Sequence, residues 1–350
     1  MVRTISINIL VLLSFLICAE AGLRFVYFAN SCRIGVCDFR AFAFVNFIRG
    51  LETGLYQPEP IVGYAPKPGV YHIDGEGWDN KTVTVNSDTT RSNGNVVALE
   101  NNPRILAVGD SFTFGVQVSD DETWPSALER RLHAEVVNAG VGGYGFGQAG
   151  LRARVLSKTD NFDLVILSVL VPDDLDRDQL VTRTSAAKPV WVTDGGSVKI
   201  IYPEESKDLR SKMMSEDIHL PEFFGYSYLL MQVNKRIFGY YYGQQLKHPD
   251  AADIDDIICY VIEDFSTLAA RTAILFQYRL EWILADAPPA TARLEECARE
   301  YNVPAFNSYD FIRERQNVEN LYFGHMRPVG NEALAEYLDR EIRKAFPDLF

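Results

Sequence analysis

The chain has 350 residues, 47% of them hydrophobic and 23% charged, a balance that builds folded domains and argues against bulk disorder. Its formal net charge is −13; with no basic stripe, such a surface repels phosphate backbones and argues against a nucleic-acid partner. This length buries one large core, and a single α/β domain with insertions is the simplest fit.

The N-terminus departs from the average. Ile5–Cys18 carries no charge and follows Arg3, but it is short for the roughly 20 residues that a membrane span needs. Two readings stand. Ala19-Glu20-Ala21 has the small-x-small pattern of a signal-peptide cleavage site. Alternatively, residues 1–23 remain as a membrane anchor, with Arg3 holding the helix start in the cytoplasm. Either reading places the remainder outside the cytoplasm, periplasmic or extracellular. Five cysteines fit export: Cys32 and Cys37 are spaced to close a small disulfide loop, whereas Cys259 and Cys297 fall in helical patterns and read as buried thiols. No Cys/His spacing resembles a zinc site, and no metal or organic cofactor is implied.

Residues 24–100 read as a juxtamembrane segment and leader. Phe39–Ile48 is apolar enough for a short amphipathic helix. Pro58, Pro60, Pro66 and Pro68, with their glycines, make residues 58–80 an extended connector, and Thr82–Asn86 alternates as a strand. An α/β rhythm then fills residues 101–350. Strands are expected at Arg104–Gly109, Glu135–Asn138, Asp163–Val169, Thr272–Tyr278 and Val303–Asn307. Helices are expected at Thr123–Leu132, Phe146–Leu156, Ile254–Ala270, Ala290–Tyr301 and Asn331–Ala345. Short apolar strands separated by helices imply a five-stranded parallel sheet covered on both faces. An insertion at about 176–250 follows the third strand. It contains a hairpin signal at Pro189–Ile201 around Asp194-Gly195-Gly196.

In an open parallel sheet, sites collect at the carboxyl ends of the strands. There the first strand runs into Gly109-Asp110-Ser111, where a tight turn opens a helix whose N–H groups face a developing oxyanion. Thr113 replaces the second glycine of a G-x-S-x-G elbow, so this is a different turn. The second strand ends in Asn138-Ala139-Gly140-Val141-Gly142-Gly143-Tyr144-Gly145, which brings bare backbone toward Ser111. The last strand precedes Gly324-His325-Met326-Arg327-Pro328, a loop histidine within reach of a strand-end serine.

Over residues 104–175 and 270–345 these segments together resemble the SGNH, or GDSL-type, hydrolases. Gly63-Tyr64 and Thr84-Val85-Asn86-Ser87 are similar to the leader of membrane-anchored bacterial members. The resemblance implies a flavodoxin-like three-layer α/β/α sandwich that hydrolyses or transfers O-acyl groups. Ser111 would be the nucleophile and an oxyanion donor through its N–H, Gly143 a second donor, and His325 the general base. Two positions depart from the pattern. Asp173 stands where the family offers an asparagine amide to the oxyanion, and an ionised carboxylate only accepts hydrogen bonds. Tyr322 and Phe323 stand where the acid of a triad is usual, with Asp310 and Glu319 as distant alternatives.

The expected activity is therefore that of an exported esterase or acyltransferase. Its substrate would be an O-acylated small molecule or an envelope carbohydrate, and its N-terminal helix would contact the membrane. The alternative is a catalytically impaired protein that binds carbohydrate or an envelope partner, with Trp191, Phe223, Phe224 and Tyr240–Tyr242 as a stacking surface.

Overall fold

Two hairpins precede the sheet. Tyr56–Glu59 (β1) pairs antiparallel with Gly63–Pro66 (β2), and Gly69–Ile73 (β3) with Lys81–Val85 (β4). The computed structural model describes residues 11–25, 55–73, 78–94, 102–183, 186–205, 227, 229 and 247–350. The hairpins correct the reading of residues 58–80 as a connector. Prolines are tolerated on two-stranded edges because no further strand needs their missing N–H. The Glu59 carboxylate closes the first turn by accepting the N–H groups of Ile61 at 2.8 Å and Val62 at 2.6 Å. Val62 and Tyr64 then enter the main core.

Five strands form the parallel sheet: Arg104–Val108 (β5), Glu135–Asn138 (β6), Leu164–Leu170 (β7), Arg271–Gln277 (β10) and Ala305–Asn307 (β11). They lie in the order β11-β10-β7-β5-β6, with Leu106 opposite Val165 and Ile274 opposite both Leu167 and Ala305. The central β7 is buried along its whole length, which is why it reads as an apolar run, interrupted only by Ser168, rather than an alternating one. Between β7 and β10 lies the hairpin Val190–Asp194 (β8) and Ser197–Ile201 (β9). After β11 come Tyr322–Phe323 (β12) and His325–Met326 (β13), paired about Gly324.

Helices cover both faces. Trp124–Leu132 (α2) packs with the closing helix Pro328–Ala345 (α6), while Phe146–Leu156 (α3), Ile254–Ser266 (α4) and Ala290–Glu300 (α5) pack together. A four-residue helix, Ser111–Phe114 (α1), follows β5. This is the α/β/α sandwich expected from the sequence. The closing helix starts three residues before Asn331, because Pro328 occupies its first turn, where a missing N–H costs nothing.

Three further readings change or fall outside the described residues. Cys259 and Cys297 are not free thiols but a disulfide between α4 and α5, with Cα atoms 5.2 Å apart, a separation that such a bond spans. Trp191 is 1% exposed and lies so close to Gly147 that a Cβ there would meet it at 2.4 Å, so it fills the core rather than a stacking surface. Cys32, Cys37, Phe39–Ile48, Phe223, Phe224 and Tyr240–Tyr242 lie outside the described residues. Residues 11–25 are helical; among the described residues no helix is long and apolar enough to cross a membrane, and residues 1–10 of the expected span are not among them.

Candidate active site

Ser111 is set by the turn that leaves β5. A Cβ on Gly109 would meet Thr113 Oγ1 at 2.3 Å and Ser168 Cβ at 3.0 Å, so only glycine fits between the turn and β7. The Asp110 carboxylate caps α1 by accepting the Phe112 N–H at 2.8 Å, and it also accepts the Ser111 hydroxyl at 3.2 Å. Gly115, at φ 86°, ends the helix after one turn.

His325 reaches the serine from the β12–β13 turn, whose tip is Gly324 at φ 71°. Its Nε2 lies 3.0 Å from Ser111 Oγ. On the far side, Nδ1 lies 3.3 Å from Gln117 Oε1, and the same oxygen accepts the His325 backbone N–H at 3.2 Å. Two donors thus converge on the carboxamide oxygen. Nδ1 carries the proton, and Nε2 is left as a base facing the hydroxyl. Asp310 and Glu319 are therefore not needed to orient the ring; Gln117 does it.

The sequence concealed Gln117 because a triad's third member is sought among carboxylates. Its backbone sits at φ 71°, unusual for a non-glycine residue. Arg91 holds that conformation from the leader. Its buried guanidinium donates to the carbonyls of Phe114 and Val118, both at 2.7 Å, and of Gly115 at 2.5 Å, and pairs with Asp120 at 3.1 Å. Burial lowers the Arg91 pKa, and Asp120 opposes that shift.

Burial holds His325 below its ordinary pKa. Asp110 pulls it up, and Arg279 and Arg177 push it down. The imidazole is therefore neutral at neutral pH, the state a general base requires. Phe112 packs beside it, with ring centres 5.0 Å apart.

The glycine-rich turn after β6 abuts this pair. A Cβ on Gly140 would stand 2.2 Å from Phe114 N, and one on Gly142 would stand 3.9 Å from Ser111 Cβ. Gly143, at φ 83°, lies in the same turn, and among the described residues no protein acceptor takes its N–H.

A second network is charged and buried. Arg177 Nη1 donates to Asp110 at 3.2 Å, to the Tyr144 carbonyl at 2.8 Å and to Asp174, tying together the turns that follow β5, β6 and β7. The other oxygen of Asp174 accepts the Leu170 N–H at 2.8 Å. Burial lowers the Arg177 pKa, but Asp174 and Asp110 more than reverse this, so the guanidinium stays charged. Asp173 pairs with Arg279 Nε at 3.0 Å. That contact is ionic, with no hydrogen bond between Arg279 Nε and the carboxylate. Burial raises its pKa above the usual carboxylate range, and Arg279 and Arg177 only partly offset this.

Among the described residues no group of three or more His, Cys, Asp or Glu side chains is arranged to hold a metal. The structure brings together Ser111, His325 and the Gly142–Gly143 turn, with Asp173 at the charged margin.

No family model and no curated protein matches the chain. Among solved structures it is similar to a lipase/acylhydrolase from Enterococcus faecalis, 14% identical, which covers 69% of this chain and 96% of that one at a TM-score of 0.38. A psychrotrophic esterase from Pseudoalteromonas is 13% identical, with 70% of this chain and 100% of that chain covered at 0.37. A two-domain esterase active on acetylated mannans is 14% identical, with 71% and 50% covered at 0.39. Others among the similar structures are G-D-S-L and SGNH proteins.

Proposed function

We propose that the chain is a serine-dependent O-acyl hydrolase or acyltransferase of the SGNH type. The observation that carries this reading is the 3.0 Å approach of His325 Nε2 to Ser111 Oγ, with the opposite ring nitrogen held by Gln117. A nucleophile, a base and an orienting group in line are what covalent acyl transfer requires.

In the first half-reaction Ser111 Oγ attacks the ester carbonyl carbon while His325 takes its proton. The carbonyl oxygen becomes an oxyanion, facing the Ser111 and Gly143 N–H groups. Collapse expels the alcohol, which receives the proton from His325, and leaves the acyl group on Ser111. Water or an acceptor hydroxyl, deprotonated by His325, then attacks the acyl-enzyme and regenerates the serine.

Export is part of the same proposal. An apolar N-terminus after Arg3, acting as anchor or cleaved signal, and a Cys259–Cys297 disulfide both suit an oxidising compartment. There the O-acyl esters of envelope carbohydrate are the substrate class within reach.

A fluorophosphonate probe tests the chemistry. The wild-type protein should label, and Ser111→Ala should abolish both labelling and p-nitrophenyl acetate turnover. A folded wild type that neither labels nor turns over would overturn the reading and favour a binding protein, for which the uncharged Gln117 beside His325 is the supporting observation.

A further inference from the structure

Asp173 leaves the oxyanion site short of a donor. An ionised carboxylate paired with Arg279 accepts hydrogen bonds and repels negative charge. The two remaining N–H donors leave the oxyanion with unfilled acceptor capacity, and a hydroxyl outside the three sequence segments lies close by.

That hydroxyl belongs to Tyr56, in β1. A Cβ placed on Gly142 would stand 2.4 Å from Tyr56 Oη and 3.9 Å from Ser111 Cβ. Gly142 is thus the point where the leader hairpin and the nucleophile meet, and no larger residue fits there without displacing the tyrosine. The ring is held by its neighbours. It packs edge-on to Tyr64 with centres 5.5 Å apart, and Tyr64 packs edge-on to Tyr144 at 5.2 Å. Tyr144 in turn donates to the Tyr64 carbonyl. This chain of rings places a phenol oxygen beside Ser111 with little freedom to move.

The hydrogen bonds of the turn give that oxygen its role. The Gly142 backbone lies against Tyr56 Oη and favours negative charge on it, as an N–H dipole aimed at the oxygen does. Among the described residues no protein acceptor takes the Tyr56 proton, so it remains to be donated. Burial pushes the phenol pKa well up, so the proton stays on at every pH at which His325 works. On the next peptide, Tyr64 Oη donates to the Gly142 carbonyl at 3.1 Å. In a trans peptide the N–H points opposite to the C=O, so this bond directs the Gly143 N–H away from Tyr64 and holds it in one orientation.

We propose that Tyr56 is a third oxyanion donor of the site, its hydroxyl hydrogen-bonding the tetrahedral intermediate in the place that Asp173 cannot fill, with Tyr64 as the positioning residue for the Gly143 N–H. The inference rests on the acyl-transfer reading above. It makes the hairpin ahead of the sheet a working part of the site.

Tyr56→Phe removes one oxygen and keeps the ring. With p-nitrophenyl acetate, kcat should fall about a hundredfold, the cost of one lost oxyanion donor, at unchanged KM and unchanged thermal midpoint. Tyr64→Phe should lower kcat by about tenfold with the same signature, since it loosens a donor without deleting it. A merely structural tyrosine would instead lower the midpoint and leave kcat per folded molecule alone. The proposal is overturned if Tyr56→Phe keeps kcat within threefold of wild type while Ser111→Ala is inactive. It is equally overturned if the loss appears in KM or stability instead of kcat. Absence of both turnover and fluorophosphonate labelling in the wild type defeats the acyl-transfer reading itself, and the donor role with it. Should Tyr56→Phe fold poorly, fluorotyrosine at position 56 supplies the second arm. It keeps the hydroxyl as a stronger donor, so kcat should hold or rise; a drop overturns the proposal.

Discussion

Ser111 and Asp110 are adjacent in the chain and share a 3.2 Å hydrogen bond, yet their other partners differ in character. Ser111 joins His325, Gln117 and the Gly142 turn, all uncharged in the resting state. Asp110 joins Arg177 and Asp174, a buried ionic cluster that the Asp173–Arg279 pair adjoins. The difference follows from what each must do. In the proposed reaction His325 gains a charge, and Gln117, its Nδ1 partner, is a neutral dipole that tolerates both states. The ions of the second network compensate one another and lock three strand-end turns in register. On the acyl-transfer proposal, the neutral network should govern rate and the charged one whether the site exists.

Breaking the charged network should give the largest effect. Arg177→Ala leaves Asp110 and Asp174 buried without their cation, which typically costs about 3–5 kcal/mol, read as a lower midpoint in urea. Activity should fall only in step with the folded fraction if the two networks are separable. Direct loss of kcat in folded protein would show that they are not.

On the neutral side, Gln117→Ala should lower kcat by about 10–100-fold, at little cost in stability. The ring loses the acceptor that fixes its tautomer, a milder form of losing a triad acid. Gln117→Glu sharpens the same point through pH. Neutral His325 is the base, so kcat/KM should be flat above its pKa and fall as pH drops through it. In the wild type the break should lie below about 6.5, because burial holds the imidazole down. A carboxylate at position 117 stabilises the imidazolium and should move the break up by about one to two units. An unmoved break would remove Gln117 from the mechanism.

The smallest effect is expected at the margin between the networks. Asp173→Asn supplies an amide donor but gives up the Arg279 pair. With Tyr56 already in the third place, kcat should change by about threefold or less. In Tyr56→Phe the same substitution should recover more of the lost rate, because only there is an oxyanion donor missing.

Much of the frame was legible in the chain. Buried parallel strands such as Leu164–Leu170 are apolar except at Ser168, and Phe146–Leu156 matches its predicted bounds, opening directly after Gly145. Ser111 and His325 were legible through residue type and position at strand ends. Gln117 was not, since its role comes from a left-handed backbone that Arg91 imposes from elsewhere. The hairpins were hidden by their prolines, which mark extended chain equally well on an edge strand or in a connector. The Cys259–Cys297 disulfide had no local signal. Its partners meet only because α4 and α5 cover the same face of the sheet.

The separation of the catalytic pair has a consequence for the timing of activity. Ser111 follows the first strand of the sheet, whereas His325 arrives after the last, 214 residues later. Until β10 and β11 have joined β7 and the closing helix has docked, the serine has no base. On the proposed mechanism, a chain still leaving the ribosome is thus chemically silent. On that mechanism, reactivity toward esters would begin only when the C-terminal end has folded home, and an acyl-enzyme assay on nascent chains would report the completion of folding itself.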